Sequence, residues 1–206
     1  FHRSLESAEA VRTYGSVESI RQNVMGNFAI LTDYRDGESG VLSTGQFEFL
    51  KAKADLFLET HRALFGKRVS DGKIKEGHGD LHAGNICMTP DDIIIYDCVE
   101  FSQAFRCSDV IGDLAFFVMD LDKRGFRDFS RDFVAQYISQ MGENEQEFST
   151  LLGFYKTYRA LVRAKVEAVQ SSSPDQSIAV RKRHLSEARK YVRLALTYQI
   201  PECLVI

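Results

Sequence analysis

Nowhere in the 206 residues do apolar positions run for the ~18 that a membrane-spanning helix needs, and the amino terminus lacks the apolar core of a secretory signal. A membrane span and an export signal are therefore not expected. Excess charge of one sign is missing as well. Lys and Arg number 26 against 29 Asp and Glu, and the net charge of -3 gives no global attraction to nucleic acid or to an anionic membrane. The run RKRHLSEARKYVR at 181–193 is locally basic and reads as the solvated face of a helix. The four cysteines, Cys87, Cys98, Cys107 and Cys203, form no CxxC pair and no zinc spacing, which points to a reducing, cytoplasmic setting. No GxxxxGK[ST] occurs, so no P-loop lies within the chain. What is present, 44% hydrophobic and 27% charged residues, suits one compact domain or two small ones with a real core.

Most of the chain has helical periodicity. It is read over 17–30 and over 43–65, where Phe47, Leu50, Phe57, Leu58, His61, Leu64 and Phe65 recur at three- and four-residue intervals behind a Ser43…Gln46 capping box. Residues 109–121 are apolar almost all round, which implies burial. In 144–170, Phe148, Leu151, Leu152, Tyr155, Tyr158, Val162, Val166 and Val169 form one stripe, with Arg159 inside its arc requiring an acidic partner. SSSPDQS at 171–177 stops that helix, and Ser173-Pro174 with Gln176 is expected to cap the next.

The helical pattern is interrupted over about 76–100. ICMT and IIIY are short β-prone runs joined by Thr89-Pro90-Asp91-Asp92, which predicts a small hairpin. Before it stands HGDLHAGN at 78–85, and Asp97 closes it. Such a hairpin brings Asp80, Asn85 and Asp97 around one small space. Two carboxylates and an amide oxygen are hard ligands of the kind Mg²⁺ takes, with the rest of its shell drawn from phosphate and water. The spacing matches the phosphoryl-transfer template, in which a catalytic-loop Asp meets the substrate hydroxyl, an Asn five residues on binds one metal ion, and an Asp after the next hairpin binds another.

HGDLHAGN, followed by IIIYDCVEF and DVIGDLAFF, resembles the aminoglycoside phosphotransferase and choline kinase branch of the protein-kinase-like fold. HGDLHAGNICM, DCVEFSQAFRCSDVIGDLAFFVMDLD and FYKTYRALVRAKVEA look most like the phosphotransferase-like half of bacterial two-part proteins whose other half is a P-loop ATPase or kinase. The resemblance covers roughly residues 1–200. It implies a mainly α fold, the carboxy-terminal helical lobe of a kinase-like enzyme with a small β-hairpin at the catalytic and metal loop. It also implies Mg²⁺ and ATP as cofactors and a small-molecule hydroxyl acceptor. By the same resemblance Asp80 is the catalytic base, with His82 where protein kinases place a catalytic-loop lysine. Asn85 and Asp97 hold the metal and nucleotide, His78 braces the loop, and Asp113 anchors it from within the apolar helix. Glu100 and Arg106, flanking the metal loop, are candidates for substrate contact, with surface or internal ion pairs as the other reading of both.

The fold needs an amino-terminal β-lobe with a phosphate-covering loop and a Lys–Glu pair, and 1–76 supplies no strand-rich or glycine-rich segment. The chain, which begins with Phe1, is thus expected to be the helical lobe of something longer. The short apolar run PECLVI, whose 201–206 boundary follows that lobe, is read as the start of a P-loop domain. Two other classes fit part of the pattern. A non-catalytic kinase-like module would bind a ligand or partner without turnover. A metallophosphoesterase also uses GD and GN loops, but its DxH and GNH[DE] motifs are absent.

Overall fold

The computed structural model describes residues 1–199; the 201–206 stretch read as the start of a P-loop domain lies outside them. Along the chain come α1 (Glu9–Arg12), α2 (Val17–Leu31), α3 (Thr44–Thr60), α4 (Arg62–Ser70), β1 (Ile74–Glu76), β2 (Ile86–Met88), β3 (Ile93–Ile95) and α5 (Gln103–Arg106). After them come β4 (Cys107–Asp109), α6 (Val110–Lys123), α7 (Arg127–Met141), α8 (Glu145–Ser171) and α9 (Ile178–Thr197). The protein is mainly helical, with two small antiparallel strand pairs, β1 with β4 and β2 with β3. No helix among the described residues is long and apolar enough to cross a membrane. Cys87, Cys98 and Cys107 are free thiols.

Two compact units divide these elements. One combines Phe1–Ile20 with Thr60–Lys156, and the other combines Arg21–Glu59 with the residues from Thr157 onward. In the second unit, Phe28 and Phe47 meet edge to face at 5.4 Å, and Leu31, Leu50, Leu58, Leu161 and Val192 are buried. Ala160, Ala164, Ala168, Ala188 and Ala195 are fully buried, small side chains that let helices approach closely. His184 of α9 bonds Glu167 of α8 at 2.6 Å. The Ser43–Gln46 capping box is reciprocal: Ser43 N–H donates to Gln46 Oε1 at 2.9 Å, and Gln46 N–H to Ser43 Oγ at 3.2 Å.

The first unit is organised around α6. Every residue from Val110 to Leu121 except Phe117 is buried, because the segment offers no polar face except the two acids Asp113 and Asp120. Phe65, Phe154 and Tyr155 form an edge-to-face cluster in the same unit. Arg68, only 3% exposed, makes a bidentate pair with Asp109, Nε to Oδ2 at 2.7 Å and Nη2 to Oδ1 at 2.8 Å, and also reaches Glu143, which Lys73 bonds at 2.8 Å. Asp109 is also the amino-terminal cap of α6, accepting from Ile111 N–H at 2.9 Å.

Three boundaries differ from the sequence expectation. The helix read over 43–65 is two helices, α3 and α4, separated at His61, whose backbone (φ -108°, ψ 17°) is not helical. Strand β1 falls where helix was expected to continue, and its partner β4 lies some thirty residues downstream, so local periodicity carries no sign of the pair. Helix α9 is capped by Ser177, which accepts from Val180 N–H at 3.4 Å, rather than by Ser173. Ser173 instead continues the turn that ends α8, its N–H donating to Gln170 O.

Candidate phosphotransfer site

The expected hairpin is present, with Ile86 opposite Ile95 and Met88 opposite Ile93. Thr89 and Asp92 close its tip: Thr89 N–H donates to Asp92 O at 2.9 Å, and Asp92 N–H to Thr89 Oγ1 at 2.9 Å. One more rung extends the ladder toward its open end, Tyr96 N–H to Asn85 O at 3.1 Å. The register therefore sets Asn85 beside Tyr96 and brings Asp97, the next residue, to the same end. The Tyr96 hydroxyl reaches back to Gly84 O at 2.7 Å.

The loop 78–85 hangs from α6 at two points. Asp113 accepts from His78 N–H at 2.5 Å and from Gly79 N–H at 2.8 Å. Asp120 accepts from Ala83 N–H at 3.1 Å and is paired with Arg124 at 3.0 Å. The two acids are seven residues apart, two helical turns, and share one face. A carboxylate buried in an apolar helix would be costly without such donors, and these donors are the backbone of the loop. Asp120 was missed by sequence reasoning; its seven-residue spacing from Asp113 in an otherwise apolar helix was the signal.

His78 ties the loop to the segment after the hairpin. Its Nε2 bonds Tyr96 O at 2.8 Å, its Nδ1 accepts from Asp80 N–H at 3.3 Å, and its carbonyl accepts from Val99 N–H at 2.9 Å. One tautomer, with the proton on Nε2, satisfies both ring contacts. The amide of Asn85, 6% exposed, donates to Asp80 O at 3.1 Å, which turns its Oδ1 away as the free acceptor end. His82 Nδ1 accepts from Gly84 N–H at 3.0 Å, so Nε2 carries the proton and faces Asp80 Oδ2 at 3.6 Å. Both of those side chains are partly open to solvent.

Asp97 is exposed, and its carboxylate has no protein partner among the described residues. Its backbone is left-handed (φ +63°), one of only two non-glycine residues so placed among them. A left-handed, solvent-facing acid at the same end of the hairpin as Asn85 offers, with that residue's amide oxygen, a donor set of the kind Mg²⁺ takes, since it needs few protein oxygens. The described residues contain no cluster of three or more His, Cys, Asp or Glu able to hold a metal ion, so a densely ligated centre of the zinc kind is not formed among them.

Of the two substrate candidates, Glu100 is exposed, whereas Arg106 is engaged internally. The Arg106 Nε and Nη2 bond Glu76 Oε1 at 2.9 and 2.6 Å, and Nη1 bonds Val99 O at 2.7 Å. Bonding to Glu76 raises the guanidinium's pKa further above its ordinary value. Arg106 thus braces strand β1 against the segment after Asp97 rather than opening toward a ligand.

No family model matches the chain, and no solved structure matches it. Uncharacterized proteins of Mycobacterium bovis and Mycobacterium tuberculosis are 33% identical over 202 residues, 95% of this chain. The aligned region is 40% of each of those proteins, so the chain spans well under half the length of the curated relatives it matches.

Proposed function

We propose that this chain is the helical lobe of a kinase-like phosphotransferase, moving a phosphoryl group from Mg-ATP to a hydroxyl of a small molecule in the cytoplasm. The observation that carries the reading is the loop itself. Asp80, His82 and Asn85 sit on a backbone held by Asp113 and Asp120, at the end of a hairpin that also delivers the unpartnered Asp97. Asp80 accepts or orients the acceptor's hydroxyl proton. His82, with its Nε2 proton toward Asp80, orients that carboxylate and offers a donor to a transferred phosphoryl oxygen. Asn85 and Asp97 hold Mg²⁺, which when bound neutralises charge on the nucleotide phosphates. The chain has no glycine-rich phosphate loop, so the reading assigns the cover over the nucleotide to another part of a longer protein, with a P-loop domain as a further partner in the same polypeptide.

The reading is tested on the 206-residue chain by titrating Mn²⁺-ATP and recording paramagnetic broadening of backbone amides. Broadening should centre on residues 84–86 and 96–98 and disappear in Asp97→Ala. Broadening centred elsewhere, or none at millimolar ligand, overturns the assignment.

A further inference from the structure

Asp113 has another donor that no motif announces. His2 is 5% exposed, although it lies 111 positions from Asp113 in sequence. The turn His2–Ser4 is fixed from two sides: Lys75 Nζ donates to His2 O at 2.9 Å and to Leu5 O at 2.7 Å, and Arg3 Nη2 donates to Gln140 O at 2.5 Å. The His2 ring is thereby held between Tyr137 and α6. The Tyr137 hydroxyl is 2.9 Å from Nδ1; with that hydroxyl as the donor the proton lies on Nε2, the tautomer that also suits a carboxylate facing that nitrogen. That Nε2 faces Asp113 Oδ2 at 3.5 Å, the same oxygen that accepts from His78 N–H.

We propose that His2 is a positioning residue for the 78–85 loop. Its Nε2–H helps hold the Asp113 carboxylate in orientation, and through it the His78 and Gly79 amides that set Asp80. At 3.5 Å the contact is long for a hydrogen bond, so its influence is moderate, but burial removes the water that would otherwise replace it. The relevance to catalysis rests on the phosphotransfer reading above; the effect on the loop does not.

Two variants in the 206-residue chain separate the donor from the bulk of the side chain. His2→Phe keeps a ring and removes the N–H. His2→Gln places an amide N–H near the position of Nε2 and serves as the conservative rescue. With helix content unchanged by circular dichroism, amide exchange at His78 and Gly79 should accelerate at least about threefold in His2→Phe, the scale of one modest hydrogen bond, and return to the wild-type rate in His2→Gln. Equal rates in wild type and His2→Phe, or equal acceleration in both variants, overturn the proposal. A measurement on the wild type alone keeps the test decisive if His2→Phe does not fold. Imidazole ¹⁵N shifts should report the Nε2–H tautomer for His2, and the Nδ1–H tautomer overturns the proposal. Mn²⁺-ATP broadening on the wild type reads the phosphotransfer assignment separately, so the two ideas fail in different experiments.

Discussion

At the residue scale the loop tolerates little change in its glycines. Gly79 has φ +81°, and a Cβ there would come 2.9 Å from Phe105 O and 3.0 Å from Val99 Cγ2. A Cβ on Gly77 would lie 2.4 Å from Asp113 Oδ2, against the acid that holds the next two amides. Gly79→Ala should therefore cost ~1–3 kcal/mol in urea unfolding, from left-handed strain plus a clash with the Phe105 carbonyl, which cannot swing away, and crowding of the Val99 side chain. Asp80→Asn carries the opposite expectation: little change in stability, because only one side-chain oxygen is exchanged. On the phosphotransfer reading, turnover should fall by about 10²–10⁴ with nucleotide affinity nearly intact. Wild-type turnover in Asp80→Asn would overturn the role proposed for Asp80. The gathering of these residues at one end of the hairpin was legible because the pattern is local: an acid, an amide and an acid at fixed spacing around a turn. For Arg106 an internal ion pair was one of two readings, but its partner was not legible, since the pairing with Glu76 depends on β1 lying beside β4, and nothing in the spacing of the segment after Asp97 reports that.

At the element scale, α6 is the support on which the loop depends. A helix apolar on all sides was readable as buried, and its acid at Asp113 as an anchor. That Asp120 performs the same task two turns later required seeing where Ala83 N–H points. The two anchors are unequal. Asp113→Ala strands two loop amides and the His2 ring, whereas Asp120→Ala strands one amide and releases an exposed Arg124. Charge-assisted bonds to buried donors contribute ~1.5–3 kcal/mol each, so Asp113→Ala should cost about 3 kcal/mol or more, and Asp120→Ala, whose single loop bond is only part-buried, about 1.5 or less. Chemical denaturation gives both values; an equal or reversed order would mean that the loop is held mainly from its Ala83 end. The hairpin was legible from β-prone runs around a turn. The β1–β4 pair was not, because three-residue strands, IKE and CSD, have no period to detect and owe their pairing to long-range contact.

At the scale of the whole molecule, charge placement bears on acid stability, and the phosphotransfer reading bears on ligand affinity. Burial would push the Glu143 carboxyl up, but hydrogen bonds from Arg68 and Lys73 outweigh it and hold the group below its ordinary value of 4.5. With the folded value below the unfolded one, this stabilisation is complete above about pH 4.5 and is lost as pH falls through the folded value. Unfolding midpoints should drop on that acid side, and Glu143→Gln should show a flatter acid limb from a lower starting stability; an unchanged limb would exclude this network as a source of acid sensitivity. Nucleotide binding follows from what the chain does and does not hold. On the proposed reading Asn85 and Asp97 would hold Mg²⁺ and, through it, phosphates, but no glycine-rich loop or paired lysine is recognisable in 1–76 to enclose the rest of a nucleotide. Two metal ligands on an open surface are worth a few kcal/mol, so calorimetric titration of the 206-residue chain with Mg-ATP should give an affinity no tighter than roughly millimolar, without turnover. Micromolar binding or ATP consumption by this chain alone would mean that its own helices enclose the nucleotide, and the division of labour with another lobe would have to be abandoned.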